Sequence, residues 1–188
     1  MLNCAGAAAV VTAPIPRSLT GLTPAWATRA ISGRHPDATV GSVSVLRVDR
    51  GTTTRVVLGL EYAAGGGPHR LFVKLQGGAR HRITMGLLDM LYHESRALSM
   101  FEPMPLPAPL VYATGVSRPR LQSMVVMEDL TERGVILNDA SRVITPDAVA
   151  GVLRTMARMH AQFWEVTHLG QPALRNVPTR VFLPGWAR

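Results

Sequence analysis

Leu71-Phe72-Val73-Lys74-Leu75 is the stretch on which the fold of this chain turns. Leu71, Val73 and Leu75 alternate with Phe72 and Lys74, which is the two-residue period of a strand. Lys74 is the only lysine in 188 residues, and every other basic position among the 20 Lys and Arg residues is arginine. An ammonium in an apolar strand is costly unless an anion faces it. Lys74 is therefore a candidate anion-binding group.

Upstream, Val43 to Val48 reads as a strand and Asp49-Arg50-Gly51-Thr52-Thr53 as the turn that reverses it. The returning strand runs from about Thr54 to Tyr62, with Val56, Leu58, Leu60 and Tyr62 on one face. Gly65-Gly66-Gly67-Pro68 is a loop into the Lys74 strand, so three antiparallel strands result. Before them, Thr23-Pro24 followed by Ala25, Trp26, Ala27, Ile31 and Gly33 predicts a short helix with a cap, a first-turn proline and a glycine stop.

Downstream, Leu87, Leu91, Leu98 and Phe101 recur at helical spacing, which predicts a helix from about Thr84 to Glu102 stopped by Pro103, Pro105, Pro107 and Pro109. Leu110 to Thr114, a turn at Gly115 to Pro119, and Arg120 to Glu128 read as a second hairpin, bringing the sheet to five strands. Asp129 to Arg142 shows no periodicity. Thr145-Pro146-Asp147 caps a last helix over about 146–166, with Val149, Val152, Leu153, Met156, Phe163 and Trp164 as its buried stripe.

Glu94 falls on the same predicted face as Leu87, Leu91, Leu98 and Phe101, where a carboxylate interrupts the apolar stripe. Buried alone it would cost several kcal/mol, so it calls for a cation, and the preceding strand supplies Lys74. The other possibility is a slightly rotated helix whose Glu94 reaches solvent. The turn at Gly51, Thr52 and Thr53 offers backbone N–H groups and hydroxyls between two arginines, which suits a phosphate, but an ordinary polar hairpin has the same composition. His160 sits on the apolar side of the last helix and reads as a packed core histidine.

The 47% hydrophobic content fits a globular chain, and no stretch approaches the roughly 18 apolar residues of a membrane span. The formal charge of +8 comes from arginines scattered without a run, which argues for a solvated surface and against nucleic acid as a partner. Cys4 is the sole cysteine, so neither an internal disulfide nor a cysteine-based zinc site can form. Residues 1–19 read as a disordered leader on a cytoplasmic protein, since the apolar start lacks the positive charge of a signal peptide.

Five segments in this order resemble the aminoglycoside phosphotransferase and choline kinase-like family, within the protein-kinase-like fold. They are Leu71 to Leu75; Glu94; Pro107-Ala108-Pro109-Leu110-Val111-Tyr112; Met124-Val125-Val126-Met127-Glu128-Asp129-Leu130; and Met156-Ala157-Arg158-Met159-His160-Ala161-Gln162-Phe163-Trp164. The resemblance spans about residues 20–168. It implies an α+β fold: a kinase-like N-terminal lobe over 20–128, built as a five-stranded antiparallel sheet with one packed helix. A hinge and an incomplete second lobe would follow over 129–188.

By the same resemblance ATP is the cofactor, with magnesium in the complete family. Lys74 would bind the nucleotide phosphates, Glu94 would orient it, Gly51, Thr52 and Thr53 would cover them, and the backbone at Glu128 and Leu130 would hydrogen-bond adenine. The family's catalytic loop carries an aspartate base and further magnesium ligands, yet no aspartate follows Asp147 here. The implied function is that of a truncated phosphotransferase, ancestrally moving the ATP γ-phosphate to a small-molecule hydroxyl and inactive alone. Its partners would be the nucleotide and a separately encoded second lobe or another protein. The alternative is a non-catalytic ATP-binding or interaction module.

Overall fold

The computed structural model describes residues 10–87, 90–100, 107–135 and 143–163. Its strands are β1 (Val11–Thr12), β2 (Thr39–Arg50), β3 (Thr53–Ala64), β4 (Arg70–Gln76), β5 (Val111–Ser117) and β6 (Gln122–Glu128). Its α-helices are α1 (Pro24–Ile31), α2 (Ala79–Leu87), α3 (His93–Met100) and α4 (Pro146–Phe163), with short 3-10 turns at Leu19–Gly21, Met90–Tyr92 and Leu130–Arg133. The fold is a mixed α+β arrangement around one sheet of order β1-β5-β6-β4-β3-β2. Every neighbouring pair is antiparallel except β1 with β5.

The expected strand count of five is corrected to six. Val11 and Thr12, inside the stretch read as a leader, pair with Ala113 and Thr114, and Ala13 is buried behind them. Gly115 explains how. The turn expected to start at Gly115 does not, since β5 runs on through it to Ser117, and a Cβ there would meet Ala13 O at 2.8 Å and Ile15 Cγ1 at 2.9 Å. Only a residue without a side chain lets the first strand lie that close. The turn itself forms later, at Arg118 to Leu121.

One face of the sheet packs on α1. Thr23 caps that helix by accepting the Trp26 N–H at 3.3 Å, and Pro24 occupies its first position. Trp26, Ala27, Ala30 and Ile31 form the buried face and meet Val56, Leu58, Leu60, Leu71, Val73, Met124 and Val126 in a single core. Full burial of a side chain such as Leu71 or Ile31 contributes about 1.5–3 kcal/mol. The Trp26 indole N–H also donates to Pro14 O at 2.9 Å, tying the segment after β1 to the helix.

The single helix expected over 84–102 is instead two. α2 starts five residues earlier than expected, and a 3-10 turn precedes α3. Leu91 is buried as expected, but the residues buried beside it are Tyr92 and Ser95 while Glu94 is exposed, because the tighter winding of the 3-10 turn shifts the face that α3 presents to the sheet. Phe101 lies outside the described residues. In α4 the stripe expected to be buried is exposed: Val149 is 44%, Val152 60%, Leu153 58% and Met156 44% accessible. His160, read as a core residue, is exposed too. Trp164 and the rest of the tail lie outside the described residues.

Candidate functional site

Because side chains alternate along a strand, Leu71 and Val73 point into the α1 core while Phe72, Lys74 and Gln76 point to the other face. α3 crosses that second face, and its Glu94 takes the Lys74 ammonium with both carboxylate oxygens, at 2.8 Å and 2.7 Å. The expected pair is therefore made, but not where burial would demand it. The Lys74 side chain is 30% and that of Glu94 46% accessible. A pair this open contributes on the order of 0–1 kcal/mol to stability, so its strength lies in aiming the ammonium.

The hairpin joining β2 to β3 lies further along the same direction. Arg55 stands opposite Lys74, and Thr54 and Thr53 stand opposite Leu75 and Gln76. Gly51 and Thr52 are then about 10–13 Å beyond Lys74 at 3.3 Å per residue. The tip offers less to an anion than its composition promised. The Gly51 N–H donates to Thr53 O at 3.0 Å, and Arg55 pairs with Asp49 at 3.5 Å. Gly77 lets the tip fold against the end of β4, since a Cβ there would lie 2.4 Å from Thr52 O. The hydroxyls of Thr52 and Thr53 remain.

At the opposite end of the strand pair, Glu128 pairs with Leu71, three residues from the Lys74 level and so about 10 Å away, and by that pairing its side chain belongs to the α1 side of the sheet. The Glu128 N–H donates to Leu110 O at 2.9 Å. Its carboxylate accepts from Leu110 N at 2.9 Å and from Arg133 at 2.8 Å. Asp129 is buried, caps the turn that follows by accepting Thr131 N–H at 3.1 Å, and faces Arg70 at 3.9 Å. The Leu130 carbonyl accepts from Gly134 and Val135.

Between Lys74 and Glu128 runs a feature that sequence reasoning passed over. Val57, Phe72 and Met127 stand directly opposite one another on adjacent strands, on the same face as Lys74 and one step toward Glu128. Opposed residues share a face, so the three form an apolar row across the sheet. The alternation of Phe72 with Val73 was the available signal. On the opposite, α1-covered face Tyr112, on β5, lies against His35 and has its phenol pushed up by burial and by the nearby Glu128 carboxylate. Tyr62 is pushed up to about 12, chiefly by burial, and donates to Pro68 O at 2.8 Å.

Of two clefts of about 300 and 320 Å³, one is bordered by Gln76 together with Ile15, Arg17, Arg50 and Gln122 and the other surrounds Trp26 and Arg29; neither includes Lys74 or Glu94. Among the described residues no group of three or more His, Cys, Asp or Glu is placed to hold a metal ion. No described helix is long and apolar enough to cross a membrane. Compared with known protein families, with curated proteins and with solved structures, the chain matches none.

Proposed function

We propose that this chain binds ATP as the nucleotide-binding lobe of a kinase-like phosphotransferase. The observation that carries the reading is the two-pronged grip of Glu94 on Lys74, a lysine on the third strand of an antiparallel meander held by a glutamate on the helix that follows. In protein kinases a strand lysine held in this way meets the nucleotide phosphates. An antiparallel sheet with its five long strands in the order β5-β6-β4-β3-β2 supports the reading, and β1 adds an edge strand.

In this reading the base lies on the Val57, Phe72 and Met127 row, with its polar edge toward Glu128 and Leu130. Since the Glu128 N–H and the Leu130 carbonyl are already bonded within the protein, adenine is met by the Glu128 carbonyl and the Leu130 N–H. The phosphates run past Lys74 toward the hydroxyls of Thr52 and Thr53. The sequence holds no aspartate beyond Asp147, so the groups that would deprotonate an acceptor hydroxyl and bind magnesium are not among these residues. Transfer to a small-molecule hydroxyl is then the activity of a site completed by a second lobe.

A thermal-shift titration with ATP and magnesium tests the reading. At 100 times the dissociation constant the ligand adds about 2.7 kcal/mol of stability, and Lys74→Met is expected to abolish the shift. An unchanged melting curve at saturating ATP would sink nucleotide binding. A second reading, a protein-interaction module, draws on the exposed Val149, Val152, Leu153 and Met156 stripe of α4. It predicts that polar substitutions there abolish capture of a partner and leave any ATP shift untouched.

A further inference from the structure

Three polar side chains lie between β4, β6 and the turn that delivers Glu94, and the nucleotide reading uses none of them. Gln76 Nε2 donates to Ser123 Oγ at 2.6 Å and stands 3.5 Å from Leu91 O. Ser123 Oγ in turn donates to Leu91 O, and Ser95 Oγ donates to Met124 O at 3.1 Å. Ser95 is 1% and Ser123 4% accessible, so these bonds are made away from water. They hold the chain three residues before Glu94 and one residue after it.

Their positions explain why serine and glutamine occur where apolar residues would be expected. Leu91 and Tyr92 press α3 onto the sheet, but apolar contact is non-directional and tolerates small slides and rotations. A hydrogen bond fixes distance and angle. Gln76 and Lys74 are two residues apart on β4 and share a face, so the strand that presents the ammonium also presents one end of the connection to the Glu94 helix. An ion pair as accessible as Lys74 with Glu94 contributes too little to set that helix by itself.

We propose that Gln76, Ser95 and Ser123 are positioning residues. They form a buried polar clasp that sets the register of α3 on the sheet, so that Glu94 holds the Lys74 ammonium in place before any ligand arrives. The functional meaning of the clasp rests on the reading of Lys74 as the phosphate-facing group. It makes the site preorganised, with no ligand-driven docking of the helix.

The single lysine gives a direct readout. Acetic anhydride labelling of the unliganded protein, followed by peptide mass spectrometry, reports the accessibility of one side-chain amine, and Glu94→Gln defines the rate of the unpaired state. Removing one net hydrogen bond shifts the docked population by about fivefold, so Ser95→Ala and Ser123→Ala are each expected to raise Lys74 acetylation by about that factor. The double variant should reach the Glu94→Gln rate. Ser95→Thr, which keeps the hydroxyl, should retain the parent rate, and so should Ser42→Ala, whose bond to Glu61 lies on the β2–β3 hairpin.

Rates are compared equally far below each variant's melting temperature, because lost stability alone would not expose Lys74 there. Should either alanine variant fail to fold, Gln76→Leu, which removes one donor, carries the same comparison. Parent-like labelling of the clasp variants beside fast labelling of Glu94→Gln overturns the proposal, as does a Glu94→Gln rate equal to that of the parent. An added arm with ATP and magnesium separates the two readings. Failure of ATP to shield Lys74 ends the nucleotide reading, while the clasp is judged in the ligand-free arm.

Discussion

Helices α1 and α4 open with the same device and meet opposite fates. Thr23 and Thr145 each cap their helix, accepting the N–H of Trp26 and of Ala148 at 3.3 Å, and a proline follows each cap. Both helices carry an apolar stripe. In α1 the stripe is sealed, with Ala27, Ala30 and Ile31 at 0% accessibility, whereas in α4 Leu153 is 58% accessible. A cap needs only the residues next to it, so it forms wherever the sequence places it. Burial needs a second surface, and among the described residues the sheet supplies one to α1 and not to the α4 stripe.

The sharpest way to break this contrast is to truncate matching side chains. Ile31→Ala is expected to cost about 2–5 kcal/mol of global stability, because the core keeps a cavity. Leu153→Ala should fall within about 0.5 kcal/mol, as for an exposed position. Denaturant melts of the two variants check this, and a large loss at Leu153 would mean that α4 packs on a surface beyond the described residues. The caps give a finer test. Thr23→Ala should lower global stability by about 1 kcal/mol. Thr145→Ala should reduce helical circular dichroism while leaving the sheet's unfolding midpoint in place. Equal shifts of that midpoint would show the two helices to be one cooperative unit.

The candidate site repeats the lesson at smaller scale. Lys74 was legible because it is the sole lysine and interrupts an apolar strand, and Glu94 was legible because it interrupts the apolar stripe expected of the next helix and so calls for a cation. The expected placement of Glu94 was nevertheless incomplete. It assumed one continuous helix with Glu94 on the buried stripe, and the 3-10 turn at Met90–Tyr92 instead gives that place to Ser95. The pair survives because Glu94, at the margin of the sheet-facing side, is still within reach of β4. Ser95, Ser123 and Gln76 gave no signal by themselves, since their role exists only where β4, β6 and α3 converge.

Two glycines mark the same boundary. Gly115, expected as a turn residue, and Gly77 are each required by the close approach of a segment distant in sequence, Ala13 for one and Thr52 for the other. Composition cannot tell a glycine that bends the chain from one that lets another strand pass.

By itself the sequence determined the strands of the meander, the caps of α1 and α4, the uniqueness of Lys74 and its need for an acid. These follow from local periodicity, from side chains that bond their own backbone, and from the cost of an unpaired charge. Only the tertiary structure decided the sixth strand, the break before α3, the openness of the Lys74 and Glu94 pair, and which amphipathic helix is buried. Each of these depends on what lies across a gap from the residue concerned, and no local pattern encodes that distance.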